Sequence, residues 1–170
     1  ITGAEGDDTI DGGEGDDVAV YAGNQSDYTF ESSADGLTVT ITETLTGYVD
    51  TVTGVETLSF ADGDIGVSLD GNGLVLTGLD DVDNIEIVGD VAVTVLGQDD
   101  ADTLTGGFGN DIIDGGEGDD VVTGADGDDT ITGAEGDDTI DGGEGEDVAI
   151  FAGNQSDYTF ASSADGLTVT

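Results

Sequence analysis

The sequence predicts an all-β protein, a β-solenoid of short repeats with a β-rich spacer between its repeat arrays. A nine-residue motif rich in glycine and aspartate recurs six times in succession from Gly97 to Ile150. Regular repeats of this kind are typical of solenoids, in which each unit buries its apolar residue against its neighbours. The segment between the arrays alternates apolar and polar residues, as half-buried strands do, and no stretch has a helical period.

The charge of the chain excludes several classes of function. Asp and Glu number 41, Lys, Arg, His and Cys are absent, and the formal net charge is −41. Such a chain repels itself unless an external cation neutralises it, and we expect divalent cations to do so. Without basic side chains, nucleic-acid binding is excluded and anionic membranes are disfavoured, and no apolar run predicts membrane insertion. The missing His, Cys and Lys remove most acid–base and nucleophilic schemes, so we expect no enzyme.

The repeat follows the consensus G-G-x-G-x-D-x-U-x, in which U is apolar. Six units run from 97 to 150, two more occupy 3–11 and 12–20, and a degenerate unit lies at 78–86. We expect the glycines at positions one, two and four to adopt positive φ and to turn the loop carbonyls inward. The aspartate at position six adds a hard carboxylate oxygen, and Ca²⁺ prefers roughly six to eight carbonyl and carboxylate ligands. Position eight should point into the solenoid.

This pattern resembles the RTX family, the haemolysin-type calcium-binding repeats of secreted bacterial proteins. The resemblance implies a right-handed parallel β-roll with two nonapeptides per turn and Ca²⁺ ions between one loop and the loop two repeats along. It implies metal ligands at position six, namely Asp8, Asp17, Asp102, Asp111, Asp120, Asp129, Asp138 and Asp147. The implied pairs are Asp102 with Asp120, Asp111 with Asp129, Asp120 with Asp138, and Asp129 with Asp147. Backbone carbonyls would come from loops near Gly106, Gly107, Gly109, Gly115, Gly116, Gly118, Gly124, Gly127, Gly133, Gly136, Gly142 and Gly145.

Some units depart from the consensus. The first unit of the long array has Gln98 and Asp100 in place of the second and third consensus glycines. Alanine replaces the second glycine in three units, at Ala4, Ala125 and Ala134. The apolar position weakens to Ala19 and Ala149 where the arrays stop, which predicts that the stacked strands terminate there.

A longer period is superimposed on the short one. Residues 1–40 recur at 131–170 with four differences, which indicates a tandem array of a 130-residue module. We divide the chain into the end of one roll at 1–20, a β-rich cap or spacer with a small aromatic core at 21–63, and degenerate strands leading into the roll at 64–96. The six-unit roll follows at 97–150, and 151–170 begins the next spacer. Stretches 22–30 and 55–63 are similar to segments that follow RTX arrays in large bacterial surface proteins.

These features predict a calcium-binding structural module of a giant secreted or cell-surface protein, an extender, filament or surface-layer segment. It would fold and stiffen on extracellular calcium after export, which the resemblance implies is type I secretion. Its partners would be calcium ions and further copies of the repeat, with lateral self-assembly left open. Two alternatives stand: the carboxy-terminal RTX secretion domain of an exported enzyme, and a calcium-dependent adhesin module that binds glycans. Paired aspartates recurring every nine residues are better explained as a ligand and its solvated neighbour than as glycosidase carboxylates.

Overall fold

A computed structural model describes residues 1–3, 5–34, 38–69, 73–79, 81–163 and 166–169. The strands of the first array and the spacer are β1 (Thr9–Asp11), β2 (Val18–Val20), β3 (Tyr28–Ser32), β4 (Thr38–Glu43), β5 (Val49–Thr53), β6 (Thr57–Ser59), β7 (Asp64–Leu69) and β8 (Leu74–Gly78). Those of the roll are β9 (Asn84–Glu86), β10 (Thr94–Asp99), β11 (Thr103–Gly107), β12 (Ile112–Glu117), β13 (Val121–Ala125), β14 (Thr130–Glu135), β15 (Thr139–Asp141) and β16 (Val148–Ile150). Two more, β17 (Phe160–Ser163) and β18 (Gly166–Val169), form a separate antiparallel pair.

Two short 3₁₀ helices, Gln25–Asp27 and Gln155–Asp157, interrupt the otherwise all-β chain. Each has an asparagine at its N-cap, and the N–H of this asparagine donates to the aspartate three residues later. The sequence predicts no helix here because three residues are too few to produce a period. Within the described residues, no helix is long and apolar enough to cross a membrane.

The nonapeptides form a roll with two parallel walls. One wall stacks β10, β12, β14 and β16, with Val95, Ile113, Ile131 and Ala149 in register. The other stacks β9, β11, β13 and β15. Because the chain alternates between the walls every nine residues, two nonapeptides make one turn. The prediction of an all-β parallel roll is confirmed.

The interior of the roll is a column of position-eight side chains. Leu104, Ile113 and Val122 are fully buried, and Ile131 is 1% exposed. Their neighbours at position seven face outward, as the 43% exposure of Ile112 shows. Burying each of these apolar side chains stabilises the fold by roughly 1.5–3 kcal/mol, so the x-U-x segment of every unit contributes to one continuous core.

The spacer joins both walls instead of standing apart from them. Strands β3, β4 and β5 are antiparallel, as are β6, β7 and β8, while β1 pairs parallel with β5 and β2 with β6. Ala19 pairs with Leu58, and both are fully buried. The expectation that the stacked strands stop at Ala19 is therefore wrong, because the spacer strand β6 continues the sheet and Leu58 adds apolar volume beside the small alanine. The corresponding Ala149 lies in β16, which ends its sheet within the described residues.

The two walls can be followed along the whole module. One wall has the strand order β16-β14-β12-β10-β8-β7-β6-β2. The other has β15-β13-β11-β9, and a parallel bridge between Ile87 and Phe30 then connects it to β3-β4-β5-β1. Each wall therefore begins with a strand of the first array and ends with a strand of the last turn.

An aromatic cluster fills the junction between the spacer and the roll. The ring of Phe60 lies 5.4 Å from Tyr21, 5.3 Å from Tyr28 and 5.9 Å from Phe30, measured between centroids. Tyr28, Phe30 and Phe60 are buried. These rings serve as core and hold the spacer against the walls.

Candidate metal centre

The first residues of each nonapeptide form the loop between the walls, and position two has the same backbone conformation throughout the long array. Position two has positive φ in Gly107 and Gly116, and equally in Gln98, Ala125 and Ala134, where φ is 86°, 81° and 73°. At position four, Asp100 also has positive φ, at 74°, whereas Gly109 does not, so the prediction of positive φ fails in that unit. Residues other than glycine rarely adopt positive φ, so the stacked loops impose this conformation against the intrinsic backbone preference of these residues. The remaining alanine, Ala4, lies outside the described residues.

Position one requires glycine for a different reason from the one expected. Its glycines lie outside the left-handed region, so the prediction of positive φ there is wrong. A Cβ atom added to Gly106 would lie 2.6 Å from Asp111 Oδ2 and 2.8 Å from the carbonyl oxygen of Gly124 in the following turn. Glycine is needed because these oxygens occupy the space of a side chain.

The position-six aspartates connect consecutive turns. The N–H of Asp102 donates to Asp120 Oδ1 at 2.9 Å, and that of Asp111 donates to Asp129 Oδ1 at 2.8 Å. The same bond joins Asp120 to Asp138 at 3.1 Å. It also joins Asp129 to Asp147 at 3.0 Å. The structure thus brings together all four pairs that the resemblance implies.

The second carboxylate oxygen of these aspartates has no partner. Asp102, Asp111, Asp120 and Asp129 are each 1% exposed, and the Oδ2 atom of each is buried without a hydrogen bond. Burial, with a smaller contribution from the carboxylates of adjacent turns, raises the pKa of Asp102 and of Asp111 to about 7. A buried anionic oxygen without a partner is costly, and a bound cation is one of the few groups that can compensate it.

Loop carbonyls approach the same position-one glycines as these Oδ2 atoms, and further loop carbonyls approach position four. The carbonyls of Gly115, Gly124, Gly133 and Gly142 face the position-one glycine of the preceding turn. Carbonyls of Gly109, Gly118 and Gly127 face the position-four glycine of the following turn, namely Gly127, Gly136 and Gly145. The carbonyl of Gly124 lies against Gly106, and the carbonyl of Gln98 lies against Gly116. The Gly107 carbonyl instead accepts a hydrogen bond from the N–H of Asp126 at 3.0 Å.

This donor set fits calcium. Within the described ranges, no three acidic side chains converge, so carbonyls must complete any site that a pair of aspartates begins. All the oxygens are hard donors, which suit Ca²⁺ and not the softer transition metals. When bound, the ion would supply the positive charge that the paired carboxylates lack, and the aspartates would hold it through Oδ2.

The first two loops use the spacer as their next turn. The N–H of Asp8 donates to Asp50 Oδ1 at 3.0 Å, and the N–H of Asp17 donates to Glu56 Oε2 at 2.9 Å. Asp8 Oδ2 is also buried without a partner. The spacer therefore supplies carboxylates where a further nonapeptide would supply aspartate. Neither Asp50 nor Glu56 belongs to a repeat, so no spacing in the sequence identifies them.

Sequence reasoning also missed Asp83. This residue occupies position six of the degenerate unit, it is 1% exposed, and its N–H donates to Asp102 Oδ1 at 2.8 Å. Its Oδ2 has no partner either, and burial raises its pKa to about 6. The register of Asp83 and Ile85 at positions six and eight was the available signal, which the absent glycines at positions two and four obscured.

Gln25 closes the roll at Asp83. Its side-chain oxygen accepts the N–H of Asn84 at 2.7 Å, and its side-chain nitrogen donates to Asp83 Oδ1 at 2.6 Å. The side-chain amide of Gln25 thus offers one acceptor and one donor, as a backbone peptide group of an adjacent strand would. Fully buried, the Gln25 side chain thus replaces the backbone of a missing turn.

A solved structure, the crystal structure of extracellular lipase LipA from Serratia marcescens, aligns with 20% identity and a TM-score of 0.36. That alignment covers 96% of this chain and 30% of the lipase, so this chain spans less than a third of that protein. The search of curated proteins gave no match.

The model of the RTX calcium-binding nonapeptide repeat matches in four copies, at residues 1–28, 96–131, 114–149 and 123–159. Together these matches cover more than half of the chain and coincide with the loops and strands of the roll. The chain therefore belongs to the RTX calcium-binding nonapeptide repeat family and is a calcium-binding repeat module.

Proposed function

We propose that this chain is a structural module of a giant secreted or cell-surface bacterial protein, and that extracellular calcium folds and stiffens it. The observation that carries the proposal is the stack of buried, unpartnered carboxylate oxygens between the turns, at Asp102, Asp111, Asp120 and Asp129. The chain has a formal charge of −41 and no basic side chain. The folded roll therefore concentrates negative charge that only an external cation can neutralise.

The electrostatics of the turns explain why metal and fold would appear together. Each position-six carboxylate lies next to another one turn away, and their mutual repulsion raises the pKa of Asp102 and Asp111 beyond the effect of burial. A calcium ion between the turns converts this repulsion into attraction. Because the unfolded chain has no preformed site, the free energy of binding becomes free energy of folding. Extracellular calcium-binding modules have dissociation constants of roughly 10⁻⁴–10⁻³ M. With such an affinity, the chain would stay unfolded at the low calcium concentration inside the cell and fold at the higher concentration outside.

We propose a mechanical role instead of a catalytic one. In a roll, each turn contacts only its neighbours, so each further turn lengthens the solenoid without changing the existing contacts. The sites repeat with the same residue types in the same environment, whereas acid–base catalysis requires carboxylates in different environments. The 130-residue period supports an extender, in which one module follows another. If the chain were instead the secretion domain of an exported enzyme, the complete gene would contain one array beside one catalytic domain.

A cavity favours glycan binding as the second candidate. It has a volume of about 500 Å³ and lies between the first loop and the spacer, where Tyr21, Tyr48, Glu43 and Asp50 line it. Tyrosine rings and carboxylates are groups that bind sugars by stacking and hydrogen bonding. Binding of the calcium-loaded chain to a glycan array, reduced by Tyr48→Ala, would favour this candidate over a purely mechanical module.

A calcium titration tests the main proposal. Circular dichroism of the full chain should show little strand signal in EDTA and a cooperative gain of strand as calcium rises through the millimolar range. Magnesium should be much less effective, because it dehydrates reluctantly and requires a stricter octahedral geometry. Full strand signal in EDTA, unchanged by calcium, would overturn the proposal.

A further inference from the structure

The degenerate unit at 78–86 has the same arrangement of loop oxygens as the consensus units, although it lacks their second and third glycines. A Cβ atom added to Gly78 would overlap Asp83 Oδ2 and would lie 2.5 Å from the carbonyl oxygen of Gly97 in the following turn. At Gly106 an added atom would likewise meet a position-six carboxylate and a carbonyl of the following turn. Two oxygens therefore converge beside Gly78 as they do in the long array.

The carboxylate of Asp83 is buried in a way that calls for a ligand. The residue is 1% exposed, and its Oδ2 atom is buried without a hydrogen bond. Burial is the main cause of its raised pKa, and the negative charges of Asp81 and Asp62 add to it. A buried anionic oxygen next to a carbonyl oxygen is costly unless a cation lies between them.

The spacer orients this carboxylate through its other oxygen. The side-chain nitrogen of Gln25 donates to Asp83 Oδ1 at 2.6 Å. In a consensus unit the same oxygen accepts a backbone N–H of the preceding turn, as Asp120 Oδ1 does from Asp102. Carboxylates that bind metals are commonly held by such a hydrogen bond on the oxygen that faces away from the ion. Gln25 therefore leaves Asp83 Oδ2 directed at the loop.

The opposite edge of the roll provides an internal comparison. Val93 lies 18 residues before Asp111, at position six of its turn, and its N–H donates to Asp111 Oδ1 at 2.9 Å. Asp83 makes the equivalent bond to Asp102 Oδ1 at 2.8 Å, across 19 residues. Valine thus stacks the first turn of its edge as well as aspartate does. Because stacking needs only the backbone N–H, it does not explain the buried carboxylate of Asp83.

We propose that unit 78–86 holds a calcium ion through Asp83 Oδ2 and the carbonyl of Gly97, and that this ion fastens the spacer to the roll. Both donors are hard oxygens, which suit Ca²⁺. The inference rests on the proposed function for the identity of the metal. The position of Val93 holds no ion, so the two edges of the roll bind unequal numbers of calcium ions.

The spacer reaches this site through Gln25. The backbone N–H of Gln25 donates to Asp62 Oδ1 at 2.8 Å, and its side chain bonds to Asp83 and to the N–H of Asn84. The junction therefore brings the charges of Asp62, Asp81 and Asp83 near one another, and without a cation they repel. Loss of this ion should loosen the spacer from the roll while the turns of the long array stay stacked.

Asp83→Asn tests the site in solution, because asparagine keeps an oxygen for Gln25 but removes the charge that holds the ion. Native mass spectrometry of the calcium-loaded chain should count one ion fewer than in the parent, whereas Asp81→Asn, at an exposed site of the same loop, should lose none. Hydrogen exchange of the Asn84 N–H should become at least about tenfold faster, while that of the Asp129 N–H in the long array stays unchanged. An unchanged ion count in Asp83→Asn would overturn the proposal.

Anomalous diffraction from calcium-loaded crystals of the unmodified chain decides the question if Asp83→Asn does not fold. We expect a calcium peak beside Asp83 Oδ2 and the Gly97 carbonyl, together with peaks between the paired aspartates of the long array, and none beside Val93. Peaks in the long array with none beside Asp83 would refute this site and leave the proposed function standing. A map without any calcium peak would contradict both.

Discussion

The position-six aspartate has two roles, one for each carboxylate oxygen. In Asp120, Oδ1 accepts the N–H of Asp102 one turn earlier, and Oδ2 is left buried without a partner. One oxygen therefore fixes the spacing of the turns while the other creates the demand for a cation. The neighbouring position-five residue differs, because it is exposed and its side chain accepts an N–H from the following turn, as Asp119 does from Asp137 at 2.9 Å.

Asp120→Asn separates the two roles. Asparagine keeps an oxygen for the Asp102 N–H but removes the charge that holds the metal, so calcium-dependent folding should require at least about tenfold more calcium, equivalent to about 1.4 kcal/mol. Circular dichroism during a calcium titration measures the midpoint. Asp119→Asn is the matched control, because Asn110 already accepts the Asp128 N–H at this position of its own unit, at 3.0 Å. A shift of the same size in both variants would contradict the assignment of Asp120.

The pKa shifts predict a second dependence, on pH. The pKa of Asp102 and Asp111 is about 7 in the folded chain, against about 3.9 for unfolded aspartate, so without calcium the folded state binds more protons. Stability in EDTA is then greatest below pH of about 4 and is lost as pH rises through about 7. We expect more strand signal in EDTA at pH of about 5.5 than at about 8. The opposite order would contradict the burial of these carboxylates in the metal-free chain.

The repeat residues could be predicted from the sequence, and their partners at the ends of the arrays could not. Positions six and eight were identified because each recurs at a fixed spacing, and the structure places Asp111 and Ile113 in the loop and the core accordingly. Asp50 and Glu56 contact the first loops across a spacer of irregular sequence, so their proximity depends on tertiary folding alone. The requirement for glycine at position one also arises from atoms in the following turn, which a single repeat does not contain.

At the scale of elements, the stacked loop overrides the intrinsic φ preference of the residues that form it. Ala125 and Ala134 adopt positive φ because the strands on either side of them are fixed by their parallel partners in the adjacent turns. The prediction that the stacked strands end at Ala19 failed for a related reason. Strand length and apolar content in one element do not show which other element will extend the sheet.

The cap formed by Gln25 gives a prediction at this scale. Gln25→Ala leaves the Asn84 N–H and one oxygen of Asp83 without partners at a buried end of the roll, and should lower the free energy of unfolding by about 1–3 kcal/mol. Urea unfolding in excess calcium measures the change. Gln155→Ala removes the same side chain from the same local sequence at an exposed site and should change stability by less than about 0.5 kcal/mol. Equal losses would show that the 3₁₀ helix itself, and not the cap, depends on glutamine.

At the scale of the whole molecule, charge and calcium control the dimensions of the chain. A compact chain of 170 residues has a radius of gyration of roughly 15 Å, whereas an unfolded one approaches roughly 45 Å. Small-angle X-ray scattering should show a decrease of at least about twofold when calcium is added to the chain in EDTA. Added NaCl alone should contract the chain less, because screening reduces repulsion without supplying ligand bonds. A compact chain in EDTA at neutral pH would contradict this account.

The two walls of the module also have the same height. Between β2 and β16 one wall advances by seven strand spacings, and between β1 and β15 the other also advances by seven, counting the bridge from Phe30 to Ile87. With about 4.8 Å per spacing, each wall rises by roughly 34 Å per module. Modules stacked on such level ends would form a straight column, whereas walls of unequal height would accumulate curvature with each copy. A fibre of this protein should therefore diffract with an axial repeat of roughly 34 Å, a short distance for 130 residues, so that an extender of this kind becomes long only by adding modules.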